Sequence, residues 1–328
     1  MRRIVLVGLG GMGRVHLANW KELADRATIV AAVGKGPVDE ECAASKGLDF
    51  HTSLAEAMAA HPEADTVDIT TPSFLHRQMV EEALRLGLDV ICEKPLALDP
   101  EDAREMLALS HSLGRKLLVA MVCRYTKEFL VLKDAVEGGE YGKLEEVSFS
   151  RLSETPAWSA GGWLHDRSKS GLVPFDLMVH DIDMMLALLG TDIVSRSVVR
   201  SGRNHYHLTC RFRSGTTALV ESGWIDAAIP FQAIWRATFE KAVLVNDGSR
   251  LTLYRREGEA EDLTPDYPVV IATGINVPPT GWYYEELKAL CAMLEGEVPC
   301  TVSDAELITA LELAKSIDSC LDGQSAEQ

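Results

Sequence analysis

Asp176, His180 and Asp183 are spaced so that an α-helix would carry all three on one face. The other sides of that helix are apolar, with Leu177, Met178, Val179, Ile182 and Met184. Polar groups on so apolar a helix are costly to bury without partners. A histidine beside a carboxylate is also a good general base near neutral pH. A hydrogen-bonded core pair would explain the same residues without catalysis. Two carboxylates and one imidazole could also hold a divalent ion, but no further His or Cys cluster accompanies them, so no metal site is read.

A second chemical group is Cys92-Glu93-Lys94-Pro95, at the end of an apolar strand. A lysine at the carboxyl edge of a parallel sheet can bond a substrate oxygen. Pro95 can fix its direction through a cis bond.

The third is Gly8-Leu9-Gly10-Gly11-Met12-Gly13, a G-x-G-x-x-G turn between an apolar strand and a helix. Gly8 permits the tight turn, Gly10 lets a pyrophosphate approach the backbone, and Gly13 lets helix and strand pack closely. The N–H groups that open the helix then face the anion. In that context the motif reads as a dinucleotide site. An acid about 20 residues further on would hold the ribose 2′-hydroxyl of NAD. Here the second strand ends Ala31-Ala32-Val33-Gly34-Lys35, and Asp39 and Glu40 come only later. Gly34 leaves room and Lys35 offers charge for a 2′-phosphate, so this reading favours NADP over NAD.

The elements that must position these groups come in two styles. Up to about residue 121, strands at 3–8, 28–33, 66–70, 89–92 and 116–121 alternate with helices such as 75–86 and 100–113. That pattern predicts a parallel sheet covered on both faces. From residue 122, helices at 126–137 and 174–189 precede strands at 192–200, 206–212, 216–224, 232–239, 243–245 and 251–254. Short turns between consecutive strands predict a large, mostly antiparallel sheet. Helices at 282–294 and 303–321 close the chain. The expected fold is thus an α/β Rossmann domain over 1–121 and an α+β domain over 122–328, whose last helix is free to pack back on the first.

Composition narrows the partners. The chain has 328 residues, with 32 Lys and Arg against 49 Asp and Glu, a formal charge of −17. So acidic a surface repels nucleic-acid phosphates and anionic lipid. No apolar run approaches the ~18 residues of a membrane-spanning helix. Arg2-Arg3 before Ile4–Gly8 imitates a short signal peptide, but the run breaks at Gly8–Gly13 without a small-residue cleavage site. Seven cysteines with no C-x-x-C fit reduced thiols and a cytoplasmic protein.

Taken with His16, Thr71-Pro72 and His76, these motifs resemble the Gfo/Idh/MocA oxidoreductases. The resemblance covers almost the whole chain. Cys123-Arg124-Tyr125 and Glu140-Tyr141-Gly142-Lys143 match the family's entry into its second domain, and the two final helices match its closing segment. It implies an NAD(P)-dependent dehydrogenase or reductase acting on a sugar, inositol or other polyol, built as a homodimer or homotetramer. By the same resemblance Lys94 bonds the reacting oxygen, His180 takes or gives its proton, and Asp176 orients both substrate and imidazole. Arg124, Trp163 and His165 are implied substrate contacts. Gly8, Gly10, Gly11, Met12, Gly13, Gly34, Lys35, Thr71, Pro72, His76, Glu93 and Lys94 are implied to line the cofactor. The family also includes hydrolases that use NAD in a transient redox cycle, and a non-catalytic regulator is a further possibility on this scaffold. Gly171-Leu172 replaces the family's usual glycine pair, and Leu172 with Pro174 is expected to reshape that loop.

Overall fold

The computed structural model describes residues 1–157, 159–275 and 277–319. The chain divides into two compact units. The first takes Met1–Val122 and Pro268–Asp304, and the second takes Cys123–Tyr267 and the residues from Ala305.

The first unit alternates β1 (Arg2–Val7), α1 (Gly11–Glu22), β2 (Ala27–Val33), α2 (Pro37–Ser45), β3 (Asp49–His51), α3 (Leu54–Ala60), β4 (Thr66–Ile69), α4 (His76–Arg85), β5 (Asp89–Glu93), α5 (Pro100–Leu113) and β6 (Leu117–Ala120). Its six strands run parallel in the order β3-β2-β1-β4-β5-β6. Ile4, Val5 and Leu6 are wholly buried, as a parallel sheet covered on both faces requires. The strand order reverses between β1 and β4, the place where doubly wound sheets open a ligand crevice. Asp99 caps α5 and Pro100 opens it, so this helix begins and ends where its sequence signals place it. The three-residue edge strand β3 carries no periodic signal, and the sequence reading passed over it.

The second unit holds α6 (Lys127–Gly138), β7 (Leu144–Glu154), the short α7 (Arg167–Ser170), a π-turn at Pro174–Met178 running into α8 (Val179–Leu189), and then β8 (Ile193–Arg200), β9 (His205–Phe212), β10 (Thr217–Ile225), β11 (Gln232–Phe239), β12 (Ala242–Asn246), β13 (Leu251–Arg255) and β14 (Glu261–Asp262). The eight strands lie in the order β14-β13-β12-β11-β7-β10-β9-β8. Only β7 and β10 pair parallel. The sheet is therefore mostly antiparallel, but the sequence reading missed its central strand β7. The buried positions of β7 include Arg151 and Ser153, which interrupt the apolar alternation that marks a strand. Helix α8 packs on β7 and β10.

The chain then returns to the first unit with α9 (Trp282–Glu295), which packs on α1 and β6. Lys116 Nζ donates to the terminal carbonyls of Met293 (2.6 Å) and Leu294 (3.0 Å), a cation at the negative end of the helix. The last helix, α10 (Asp304–Ser319), lies with the second unit from Ala305 onward. The division is thus not the contiguous one at 121/122, and the helix that packs back is α9, not the last. Residues 320 and 321 of the expected final helix lie outside the described residues. Among the described residues, no helix is long and apolar enough to cross a membrane.

Candidate active site

In the first unit the glycine turn fits the purpose its spacing suggests. Gly8 has φ +97°, and a Cβ there would stand 3.1 Å from the Thr70 backbone. A Cβ on Gly13 would reach 2.0 Å from the Gly8 carbonyl oxygen, so only glycine lets α1 approach β1 this closely. Around Gly10 a Cβ would meet nothing within 4 Å. No side chain caps α1, whose first turn carries Gly11 and Met12. Open space in front of uncapped helix N–H groups at a sheet switch point is a cradle for a pyrophosphate.

The loops after β4 and β5 are tied together beside it. His76 lies buried between two carbonyls, with Nε2 2.9 Å from Thr71 O and Nδ1 2.8 Å from Pro95 O. Burial holds its pKa below the usual value despite those two contacts. Pro72 follows Thr71, and the Lys94–Pro95 peptide is cis, as the sequence reading anticipated. Lys94 is half-buried.

Beneath these loops runs a buried polar chain that no local pattern announced. Trp20 Nε1 donates to Asp68 Oδ2 (2.7 Å). His16 places Nδ1 2.9 Å from the same oxygen and Nε2 3.1 Å from Glu93 Oε1. The Lys94 backbone N–H donates to Glu93 Oε2 (3.0 Å). Burial works against a charged His16, but the charges and hydrogen bonds of Asp68 and Glu93 outweigh it and raise its pKa well above 6.5. Burial likewise opposes ionisation of Glu93, but His16 overcomes it and holds the carboxyl below its usual value. An imidazolium between two carboxylates therefore links the glycine helix to the backbone that carries Lys94. The sequence trace of this network is two charged residues in apolar strands, Asp68 within β4 and Glu93 at the end of β5.

At the end of β2 the structure corrects the expected absence of an acid. Helix α2 starts so soon after β2 that Asp39, in its first turn, folds back onto the strand end. Lys35 N donates to Asp39 Oδ2 (2.8 Å). A Cβ on Gly34 would stand 2.8 Å from that same oxygen. A carboxylate thus occupies the place beside Gly34 that the reading had left to a 2′-phosphate, and the Lys35 side chain is exposed.

In the second unit, Asp176 lies in the π-turn and His180 in the first turn of α8. Every other residue from Val173 to Leu186 is buried, so only these two reach the surface of that segment. The third member of the expected face, Asp183, does not join them. Three residues turn an α-helix by about −60° from His180, which is enough to aim Asp183 inward. There it is 1% exposed and accepts from Arg124 Nε and a terminal nitrogen, both at 2.7 Å. The remaining terminal nitrogen of Arg124 donates to Glu306 (3.3 Å). Arg124 is itself 5% exposed, so the arginine expected to touch substrate is committed to holding the helix.

A matching pair lies on β7. Arg151 donates to Asp181 Oδ1 (2.7 Å) and Oδ2 (3.0 Å), and also to Cys123 Sγ (3.3 Å). Burial pushes the Asp181 and Asp183 carboxyls above the ordinary range even with an arginine on each. Two buried ion pairs, one and three residues past His180, therefore fix the helix that presents it.

Of the remaining expected contacts, Trp163 is half-buried in the Ala160–His165 turn. His165 is exposed, with Nε2 2.7 Å from Pro156 O and its ring against Trp224. Gly171 (φ +67°) is followed by Leu172, which adopts φ +56°, a left-handed conformation unusual for a residue with a Cβ.

A family model described as "Oxidoreductase family, NAD-binding Rossmann fold" matches residues 2–121, and one for the GFO/IDH/MocA C-terminal domain matches residues 129–235. An inositol 2-dehydrogenase of Rhizobium meliloti is 30% identical over 193 residues, covering 59% of this chain but only 56% of that relative. An inositol 2-dehydrogenase of Pseudarthrobacter chlorophenolicus is 25% identical over 301 residues, covering 87% of this chain and 86% of the relative. Among solved structures, an NAD binding oxidoreductase from Klebsiella pneumoniae shares the fold, with TM-score 0.83 at 21% identity over 98% of this chain and 97% of its own.

Proposed function

Because the chain belongs to the Gfo/Idh/MocA oxidoreductase family, we propose that it interconverts a secondary hydroxyl and a ketone on a sugar, inositol or related polyol. A nicotinamide dinucleotide, when bound, supplies the hydride acceptor or donor. The Gly8–Gly13 turn, Thr71, Pro72 and the first turn of α1 hold its phosphates. The relatives named inositol 2-dehydrogenase support a cyclic polyol as the substrate class.

The observation that carries the reading is the second unit's helix, where Asp176 and His180 are the two surface-reaching residues of a buried segment. The His180 imidazole takes the hydroxyl proton in oxidation and returns it in reduction. Asp176 orients the substrate and the imidazole. Lys94 bonds the reacting oxygen, and its ammonium lowers the pKa of an alcohol there. Trp163 and His165 are assigned to the substrate's outer hydroxyls. Arg124 is a positioning residue.

For the cofactor we favour NAD over NADP. A carboxylate on the strand end repels a 2′-phosphate and accepts from a 2′-hydroxyl, so Asp39 outweighs the exposed Lys35. We also assign a homo-oligomer to the outer face of the eight-stranded sheet, where Val199 and Tyr254 are exposed; light scattering on the purified chain tests it.

The reaction is tested by offering NAD⁺ with a panel of inositols, aldoses and alditols and following reduced nicotinamide at 340 nm. Steady accumulation with one of them is expected. Substrate cleavage without net reduced cofactor would favour the hydrolase class instead.

A further inference from the structure

Asp49 and His51 are two apart on β3, so they share a face of that strand. Ser53 then caps α3, accepting from Glu56 N, and the helix ends on His61. The fold thereby brings three donor groups together at the edge of the parallel sheet. His61 Nε2 lies 2.9 Å from Asp49 Oδ2, and His51 Nε2 lies 3.3 Å from the same oxygen. The imidazole rings stand edge to face, 5.8 Å between centroids and 77° apart. One donor atom from each residue falls within 4.8 Å of the others.

The two separations from Asp49 Oδ2 are close to the edges of a coordination shell. With bonds of 2.0–2.1 Å, a tetrahedral zinc site has ligand–ligand edges of about 3.3–3.4 Å. Asp49 Oδ2 already stands at about such an edge from each imidazole, and the two imidazole donors lie within 4.8 Å of each other. Behind His61, Nδ1 lies 3.5 Å from Glu63 Oε1. A carboxylate in that position fixes the tautomer of a ligating imidazole and raises its basicity. The His51 side chain is 15% exposed and its Nε2 is buried, so its aim is set by packing, whereas Asp49 is 56% exposed and leaves a side open to water.

We propose that Asp49, His51 and His61 form a binding site for a divalent transition-metal ion, with zinc the best fit to two imidazoles and one carboxylate and water completing the shell. The ion pins edge strand β3 to the end of α3. It lies outside the groups assigned to hydride chemistry, so it is a structural site. A second histidine–carboxylate group, His205, His207 and Glu221, is arranged differently. Its rings lie side by side at 4.7 Å and 37°. Both groups hold a histidine Nε2 2.9 Å from a carboxylate oxygen, but here Ser150 Oγ also donates to the other Glu221 oxygen, Oε2, at 2.6 Å. That group is a hydrogen-bonded network on the sheet and serves as the internal control.

The test uses the full chain, stripped with chelator and dialysed, then titrated with zinc chloride by calorimetry and with cobalt chloride by visible absorption. Wild type is expected to bind one zinc at this site with micromolar affinity, to show the intense d–d bands of low-coordinate cobalt, and to unfold at higher temperature with zinc present. The double variant His51→Ala/His61→Ala should lose the bands and bind zinc at least tenfold more weakly, while His205→Ala/His207→Ala keeps both. Asp49→Asn, at an exposed position, removes one ligand without disturbing the buried ring and should weaken binding by about tenfold. Retained zinc affinity in both the double variant and Asp49→Asn would overturn the proposal. So would cobalt bands that vanish only with His205→Ala/His207→Ala, or no binding by wild type at 100 µM zinc, about a hundred times the expected Kd.

Discussion

The two units bury charge in opposite ways. In the first, one imidazolium sits between two carboxylates and ties the glycine helix to the Lys94 loop. In the second, two arginine–aspartate pairs clamp one helix from separate segments, the loop after β6 and strand β7. The first arrangement supports backbone that can meet a dinucleotide by its N–H groups. The second leaves two side chains, Asp176 and His180, half-buried on an otherwise buried segment. A fold can thus hold a cofactor with main chain and reserve side chains for proton transfer.

The sharpest way to break this contrast is at His180. The variant His180→Ala should lower kcat by about 10²–10⁴-fold while nicotinamide fluorescence shows unchanged NADH affinity, because its half of the contrast carries no cofactor backbone. Equal loss of binding and turnover would erase the distinction.

Next come the clamps. Arg151→Met strands the Asp181 carboxylate and should cost about 3–5 kcal/mol in urea unfolding. Pairing it with Asp181→Leu should recover most of that loss, since neither charge then remains buried alone. No recovery would mean that shape, not charge, sets the position of α8.

The first unit's network should show itself in pH dependence. His16 has its folded pKa raised above 6.5, so its stabilisation is complete below that value and is lost as pH rises through the folded pKa. Glu93 has its pKa lowered from 4.5, so its contribution is complete above 4.5 and is lost as pH falls through the folded value. The pair therefore supports the unit most between those two values. Denaturation midpoints of His16→Asn measured from pH 5 to 9 should fall less steeply above neutrality than those of wild type. Parallel curves would deny His16 its charge.

The smallest effect belongs to Leu172. Releasing its left-handed backbone with Leu172→Gly should raise stability by up to about 1 kcal/mol. A clear loss would show that the side chain's packing outweighs the strain.

How far the sequence could be read follows the same division. The glycine turn, the cis Lys94–Pro95 bond and the bounds of α5 were legible because each rests on residues close in the chain. Helix α8 was legible as a helix, but the fate of Asp183 was not, because its partner Arg124 is 59 residues away. Strand β7 hid behind the buried polar residues Arg151 and Ser153. Asp39 was counted as too late in the chain because spacing alone does not show a helix turn folding back on its strand. The return of residues 268–304 to the first unit depends on packing against α1 and β6, which no local pattern reports.

The central claim, that the first unit is a nicotinamide dinucleotide site tuned to NAD, is tested most directly by fluorescence titration with NADH and NADPH. Wild type is predicted to bind NADH more tightly than NADPH, with the preference narrowed or reversed in Asp39→Ala. Failure of the folded chain to bind either dinucleotide would contradict the account.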